Sequence, residues 1–469
     1  MLEIFNTLTR RKEVFKPINE GEVKLYTCGP TVYDFAHIGN FRTYVWQDVL
    51  KRWLKYRGFK VRHVMNVTDV DDKTIRGSRQ EGISLRKFTE RYTKAFFEDS
   101  KTLNILPADI FPKATEHIKE MVDLIKILTQ KGYAYKAEDG SIYYAISKFK
   151  DYGKLSKLKI EELKPGARVK VDTYTKREAQ DFALWKDWDP EDGDIFWETE
   201  IGKGRPGWHI ECSAMSMKYL GQTFDIHTGG VDLIFPHHEN EIAQSKGAVE
   251  ELFVNYWLHV EHLMVEGQKM SKSLGNFYTL RDLLERGYDP RAIRYLLLST
   301  HYRQQLNFTF QALKAAENTV QNLFDFIARL NEVEEVRENE QVDELIKESR
   351  KRFENAMDND LNISVGLVAI FDLINEVNKL MVEDKIGMKN AKDIISLMLE
   401  FDKVLGLGLE EAIREEELPE EIKEMIQKRE EARKGKDWKT ADEIRAKIKE
   451  IGFALEDTPE GVRWKRIKK

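Results

Sequence analysis

The chain has 469 residues, 41% of them hydrophobic and 33% charged, with 75 Lys and Arg against 81 Asp and Glu for a net charge of −6. At about 100 to 200 residues per domain this is more than one domain, too apolar for a disordered chain and too acidic for a generally basic nucleic-acid binder. No run reaches the roughly 18 apolar residues of a membrane span, and the first residues, MLEIFNTLTRRKEVFKP, lack the apolar core of a secretory signal. Two cysteines, Cys28 and Cys212, are too few for a disulfide framework, so a cytoplasmic protein with no membrane partner is expected.

In chain order, GEVKLYTC (21–28) reads as a strand. GPTVYDFAHIGN is a loop into a helix with apolar positions Val45, Val49, Trp53 and Leu54, and FKVRHVMNVTDV is a second strand. Strand, helix and strand in this order predict a parallel α/β sheet with ligands at the carboxyl ends of its strands, at 28–40 and 68–73. A helix beginning near 116 opens a polar, Trp-rich insertion, after which the parallel pattern resumes: a helix with Cys212, FDIHTGGVDL as strand and Gly-rich loop, and HHENEIAQSKG as another helix. Beyond KMSKSLGN the pattern is helical to about 405. One stripe carries Val342, Leu345, Ile346, Ser349 and Phe353, and another carries Val365, Ala369, Leu373, Val377 and Leu380. The acidic stretch LEEAIREEELPEE precedes a last helix and two short segments flanking PEG. From Lys428 onward there are 14 Lys or Arg against 9 Asp or Glu, and the final nine residues, GVRWKRIKK, hold a net +5. Such a tail can meet phosphates, with Trp464 stacking on a base or packing on the preceding helix.

Three constellations bear on chemistry. HIGN (37–40) lies at a strand-to-helix turn, which taken alone is more often a structural cap but whose free backbone N–H groups and helix dipole can bind phosphate. His37 and Asn40 are donors there, and Gly39 allows close approach. KMSKS (269–273) places Lys269 and Lys272 on a Gly-flanked loop, able to neutralise charge on a departing pyrophosphate. The third comprises Cys28, Cys212, His237 and Glu241, with His237 and Glu241 on one helical face at i, i+4 and a pairing of His238 with Glu241 also open. These residue types suit zinc, although on spacing alone buried structural cysteines are the favoured reading. Gly229, Gly230 and Asp232 follow FDIHT, as a turn or as a site for adenosine and a ribose hydroxyl.

HIGN and KMSKS across a split parallel sheet resemble the class I aminoacyl-tRNA synthetases. The blocks YTCGPTVYDFAHIGNFRT, NVTDVDDKTI, GWHIECSAMS, FDIHTGGVDLIFPHHENEIAQS, THYRQQLNFT, MDNDLNIS and EDTPEGVRWK are similar to those of the cysteinyl-tRNA synthetase family along essentially the whole chain. The fourth position of the first signature departs from the family, being Asn40 rather than a second His. The resemblance implies ligation of L-cysteine to tRNA(Cys) using ATP with Mg2+, with His37, Asn40, Lys269 and Lys272 catalytic and Gly39, Gly229, Gly230 and Asp232 at ATP. It also implies one zinc on Cys28, Cys212, His237 and Glu241, substrate contacts at Gly29, Thr31, Thr68, Trp208, His227 and Asp232, and a monomer. Zinc would separate thiol from hydroxyl more sharply than a steric pocket, which is worth about 1 to 3 kcal/mol. A cysteine:aminosugar ligase with a related catalytic domain and a non-catalytic RNA-binding paralogue are the alternatives.

The expected fold is α/β. A Rossmann-type parallel-sheet catalytic domain (1–116 and 201–275) is split by a connective insertion (117–200). A stem-contact linker (276–310), an α-helical tRNA-binding bundle (311–405) and a small C-terminal α+β anticodon unit (406–469) follow.

Overall fold

Strand Glu22–Thr27 buries Val23, Leu25, Tyr26 and Thr27 completely, so side chains on both of its faces are covered, as a parallel strand between helical layers requires. In the computed structural model, which describes residues 1–158, 181–249, 251–414, 419–458 and 461–466, this strand pairs in parallel with Lys60–Met65 on one side and Phe224–Gly230 on the other. Strand Val254–Val260 adds in parallel beyond Phe224–Gly230. The chain leaves the central strand to one side through helix Ile38–Tyr56 and reaches the other side only after the insertion. Strand order therefore reverses between 22–27 and 224–230, the point where open α/β sheets form a ligand crevice at their carboxyl ends. The expected helix positions Val45, Val49, Trp53 and Leu54 are all buried.

The insertion holds an antiparallel sheet in the order 134–136, 142–144, 182–187, 202–206, 197–199. Strand Gly202–Pro206 continues it past residue 200, the boundary expected from sequence. Asp72, in the first turn of helix Asp72–Gln80, ties this sheet to the parallel domain by accepting from Lys186 and Arg205, side chains almost wholly buried. Residues 159–180 of the insertion lie outside the described residues, as do 415–418 of the acidic stretch, 459–460 of PEG and 467–469 of the basic tail.

Helices Phe310–Asn331, Glu340–Asp358, Ile363–Val382 and Met388–Leu405 follow. Of the first predicted stripe, Val342, Ile346, Ser349 and Phe353 are buried and Leu345 is half-buried. The second stripe needs a correction. Ala369, Leu373, Val377 and Leu380 are buried, but Val365 is 51% exposed, and Ile363, Gly366, Leu367 and Ile370 complete the buried face. At 100° per residue a strict four-residue spacing drifts around the helix, which carries Val365 about 110° from the centre of that face.

The chain divides into two compact units, 1–412 and 413–469. In the second, helices Glu420–Lys434 and Trp438–Ile451 pack with the antiparallel pair Phe453–Thr458 and Gly461–Arg466 around Ile422, Ile448, Phe453 and Leu455. Trp464 is half-buried against this core, its ring 5.7 Å from that of Phe453.

Within the first unit, Arg294 of helix Pro290–Ser299 is completely buried. Its guanidinium donates to Asp48 at 2.6 Å, the Leu405 carbonyl at 2.6 Å and the Leu103 carbonyl at 2.9 Å. Arg52 and the Leu106 N–H also donate to Asp48. Gly406 ends helix Met388–Leu405 at φ +67, and a Cβ there would lie 2.7 Å from the Arg294 guanidinium. One carboxylate thus joins the parallel-sheet layer to the end of the bundle. Asp48→Ala leaves Arg294 buried without its counter-charge and is expected to cost about 3 to 5 kcal/mol, read as a lower urea midpoint for the 1–412 unit; an unchanged midpoint would refute this account.

Candidate active site

Helix Ile38–Tyr56 begins with His37 as its N-cap. His37 Nδ1 accepts from the Asn40 N–H at 3.1 Å, and Asn40 Oδ1 accepts from the His37 N–H at 3.1 Å. With Nδ1 accepting, the ring proton sits on Nε2, so the imidazole is a neutral donor. Burial drives its pKa down to about 4, against the opposing pull of Asp232 and Asp34. Asn40 suits this position because its amide closes the cap while its N–H2 remains a donor. A Cβ on Gly39 would crowd the turn, at 3.0 Å from His37 Nδ1 and 3.1 Å from Met270 Cε, so a side chain there would push on both.

The lysine loop leaves a small antiparallel pair, Leu263–Val265 with Gln268–Lys269, and passes through a short turn at Lys272–Leu274. Its base is fixed to the capped helix: the Ile38 N–H donates to the Tyr278 carbonyl at 3.0 Å. Lys272 pairs with Asp34.

A cavity of about 720 Å3 at the carboxyl ends of the sheet gathers Cys28, Gly29, Thr31, His37, Gly39, Asn40, Trp208, Gly230, Asp232 and Lys269 among the predicted residues. Asp34, to which Lys272 is bound, lines it too. Thr68, Gly229 and His227 lie behind its walls. Thr68 Oγ1 donates to Glu211 at 2.9 Å and accepts from Asn66, whose Oδ1 receives the Gly29 N–H. A Cβ on Gly229 would meet His238 at 2.8 Å, so that glycine serves packing. His227 is completely buried, stacked on Trp257 at 4.5 Å with Nε2 2.9 Å from Glu241 Oε2.

Cys28 belongs to the cavity and also to a buried cluster. The ligand atoms of Cys28, Cys212, His237 and Glu241 all lie within 4.8 Å of one another, and so do those of Cys28, His227, His238 and Glu241. His237 Nε2 is 3.1 Å from Glu241 Oε1, whereas His238 Nε2 is 3.9 Å from it and 3.2 Å from Cys28 Sγ. His237 presents Nε2 because Nδ1 is held by His209 at 2.9 Å, and Nδ1 of His238 is likewise held by His259 at 2.7 Å. Hydrogen bonding to Cys28, with help from His237 and against burial, lowers the Cys212 thiol to about 6, while burial pushes Cys28 well up. Burial opposes protonation of His237, but Cys212 and Glu241 raise it to about 10. Glu241 Oε1, completely buried, lies close to His237 Nε2 without the geometry of a hydrogen bond. Two thiols, an imidazole and a carboxylate with an unsatisfied oxygen fit a soft divalent cation of tetrahedral preference.

Residues 14–318 match the family model described as tRNA synthetases class I (C) catalytic domain, residues 352–410 a DALR domain, and residues 415–464 the cysteinyl-tRNA ligase anticodon binding domain. The chain is 51% identical over 468 residues to the cysteine–tRNA ligase of Protochlamydia amoebophila, spanning 99% of this chain and 98% of that protein. It is 50% identical over 470 residues to the cysteine–tRNA ligase of Brachyspira hyodysenteriae, at 98% of each chain. The chain belongs to the cysteine–tRNA ligase family. Its fold is that of class I synthetases more widely: methionyl-tRNA synthetase of Mycobacterium tuberculosis superposes with TM-score 0.65 at 14% identity, over 84% of this chain and 93% of that one. A LeuRS of Agrobacterium radiobacter superposes with TM-score 0.61 at 13% identity, over 85% of each chain.

Sequence reasoning did not single out Asp34, Tyr33, Glu261, His262 or Gln305, which also line the cavity of this family member. Glu261 and His262 directly follow strand Val254–Val260, so the rule that sheet ligands sit at carboxyl ends could have flagged them. His209 and His259 carried no such signal, because separate elements bring them to His237 and His238.

The His37 cap predicts a titration. A group whose pKa is depressed on folding favours the folded state above its free value near 6.5 and loses that contribution as pH falls through about 4. Imidazole nitrogen NMR is expected to show His37 neutral with the proton on Nε2 down to about pH 5. A midpoint near 6.5 would contradict the buried cap.

Proposed function

We propose that the cavity carries out cysteine activation followed by transfer to tRNA(Cys). The cysteine carboxylate attacks the α-phosphorus of ATP, pyrophosphate leaves, and the terminal ribose hydroxyl of the tRNA then attacks the carbonyl carbon of the cysteinyl-adenylate and releases AMP. The observation that carries this reading is Cys28, which is shared between the buried sulfur-rich cluster and the cavity holding the capped HIGN turn and Lys269.

His37 Nε2–H and the N–H2 of Asn40 donate to the phosphates, and Gly39 keeps that approach open. Lys269 and Lys272 neutralise charge that grows as pyrophosphate departs, with ATP entering as its Mg2+ complex. Gly230 and Asp232 border the adenosine, and Asp232 accepts from a ribose hydroxyl or the substrate ammonium. Thr31 touches the amino acid directly, while Thr68 and His227 act through the wall. Positioning and electrostatics suffice, because no side chain need form a covalent bond.

Zinc would be held by Cys28, Cys212, His237 and Glu241, and when bound it supplies a soft Lewis acid that lowers a thiol's pKa and prefers sulfur to oxygen. Trp208, in the cavity wall with its ring 4.2 Å from that of His237, closes the apolar side of the cysteine pocket. We assign 311–405 and 406–469 to tRNA and its anticodon, and read the protein as a cytoplasmic monomer. The match of 415–464 to an anticodon-binding domain disfavours an aminosugar ligase, and the retained lysines and metal-type residues disfavour a non-catalytic paralogue.

Cysteine-dependent ATP–pyrophosphate exchange, followed by transfer of label to tRNA, tests the whole reading; exchange driven equally by serine would overturn it. Purified protein is expected to contain about one zinc per chain, and Cys212→Ser to lower metal content and the preference for cysteine over serine together. An active enzyme without zinc would sink the metal assignment.

Lys272→Ala is expected to slow exchange by about 10²- to 10³-fold while leaving cysteine binding nearly unchanged, because its charge acts in the transition state. Equal losses in both would reduce Lys272 to a binding role.

A further inference from the structure

Lys272 already has an anionic partner in the structure, and that partner belongs to the cavity. Its ammonium forms an ion pair with Asp34 Oδ2 and lies over the ring of Phe277, 5.1 Å from the centroid. Asp34 and Phe277 both line the cavity, and Asp34 precedes His37 by three residues. The base of the loop is anchored, with Thr279 bridged to His37 and Tyr278 accepting from the Ile38 N–H. The tip is open: the Lys272 side chain is 67% exposed and that of Asp34 31%. Asp34 Oδ1 accepts from the Phe35 N–H at 2.8 Å, which leaves Oδ2 directed at the lysine. The other cavity lysine named in the motif, Lys269, makes no ion pair among the described residues, so the two lysines differ in their resting electrostatics.

A triphosphate entering this cavity brings a stronger anion to the same ammonium. A half-exposed ion pair is weak enough to yield to it, whereas a buried pair would lock the loop. We propose that Asp34 is a positioning residue acting through Lys272: it is that lysine's resting counter-charge, competes with the phosphates of ATP for it, and recaptures it as pyrophosphate leaves. The inference rests on the reading of the cavity as the ATP site and of Lys272 as a phosphate-binding cation. Substrate and product face the same competitor, so losing the carboxylate must tighten both, and cysteine, bound at the sulfur-rich end, must be indifferent.

Asp34→Asn keeps the acceptor for the Phe35 N–H and removes the charge. In the exchange assay it is expected to lower KM for ATP about two- to fivefold, the range of an exposed ion pair, and to strengthen inhibition by excess pyrophosphate to the same degree. KM for cysteine should not move, and Asp34→Glu should restore the wild-type values. In a Lys272→Ala background, Asp34→Asn should change KM for ATP no further. An equal fall with and without Lys272 means that Asp34 merely repels phosphate, and this overturns the inference; so does a KM for ATP that stays the same or rises in the single variant. If Lys272→Ala exchanges at the wild-type rate, the underlying reading of the loop fails instead, so the two failures are distinguishable.

Discussion

A fully buried carboxylate is tolerable only where protons, cations or hydrogen bonds compensate its desolvation, and Glu241 satisfies that constraint at the centre of this protein. Burial would raise its pKa, yet His227 and His237 hold it below the usual carboxylate value. The requirement fixes neighbouring elements. His227 must come from strand Phe224–Gly230, His237 from the turn before helix Glu239–Val249, and Cys212 from the helix that leads into the strand. The central strand then delivers Cys28 to the same point, and its continuation delivers the capped turn at His37. The metal-type cluster and the capped turn thereby share one crevice through covalent continuity over nine residues.

The ring of aromatic and imidazole groups around Glu241 follows from the same constraint. Two of the cluster histidines have one nitrogen held by a fixed partner so that the other points inward, with His209 holding His237 and His259 holding His238. His259 is itself fixed by Thr7 at 2.8 Å, which draws the first residues of the chain into the support of the site. Such outer contacts orient ligands and tune their basicity.

Much of this was legible in the sequence because the informative residues are contiguous or spaced by one helical turn. HIGN, KMSKS and the His237–Glu241 pair state their geometry locally, and the alternation of strands and helices placed 28–40, with HIGN, and 68–73 at carboxyl ends of a parallel sheet. Three features could not be read that way. The helix stripe through Val365 failed because regular four-residue spacing is not a straight line on a helix of 3.6 residues per turn. Trp464, with packing and base stacking both open from sequence, found Phe453 because its strand pairs antiparallel with Phe453–Thr458, placing the ring over the small unit's core. The supporting histidines and Asp34 are dispersed or unremarkable in type, and only the fold brings them to the cluster and to Lys272.

The two ends of the cavity set their selectivity by different physics. At the capped-turn end, which we propose receives the phosphates, the groups are a neutral imidazole, an amide and exposed lysines, types that recognise charge and geometry shared by every nucleoside triphosphate. Nothing there can tell one amino acid from another. At the Cys28 end the discriminating atoms are two thiols, an imidazole and a carboxylate, sealed from solvent. Serine and cysteine differ by a single atom, and shape alone separates such pairs by about 1 to 3 kcal/mol. Softness and acidity separate sulfur from oxygen far more strongly, so the proposed reading puts a donor set of this kind where the substrate side chain enters. Placing it on the residue that ends the central strand puts it in the cavity without exposing the rest of the cluster to water.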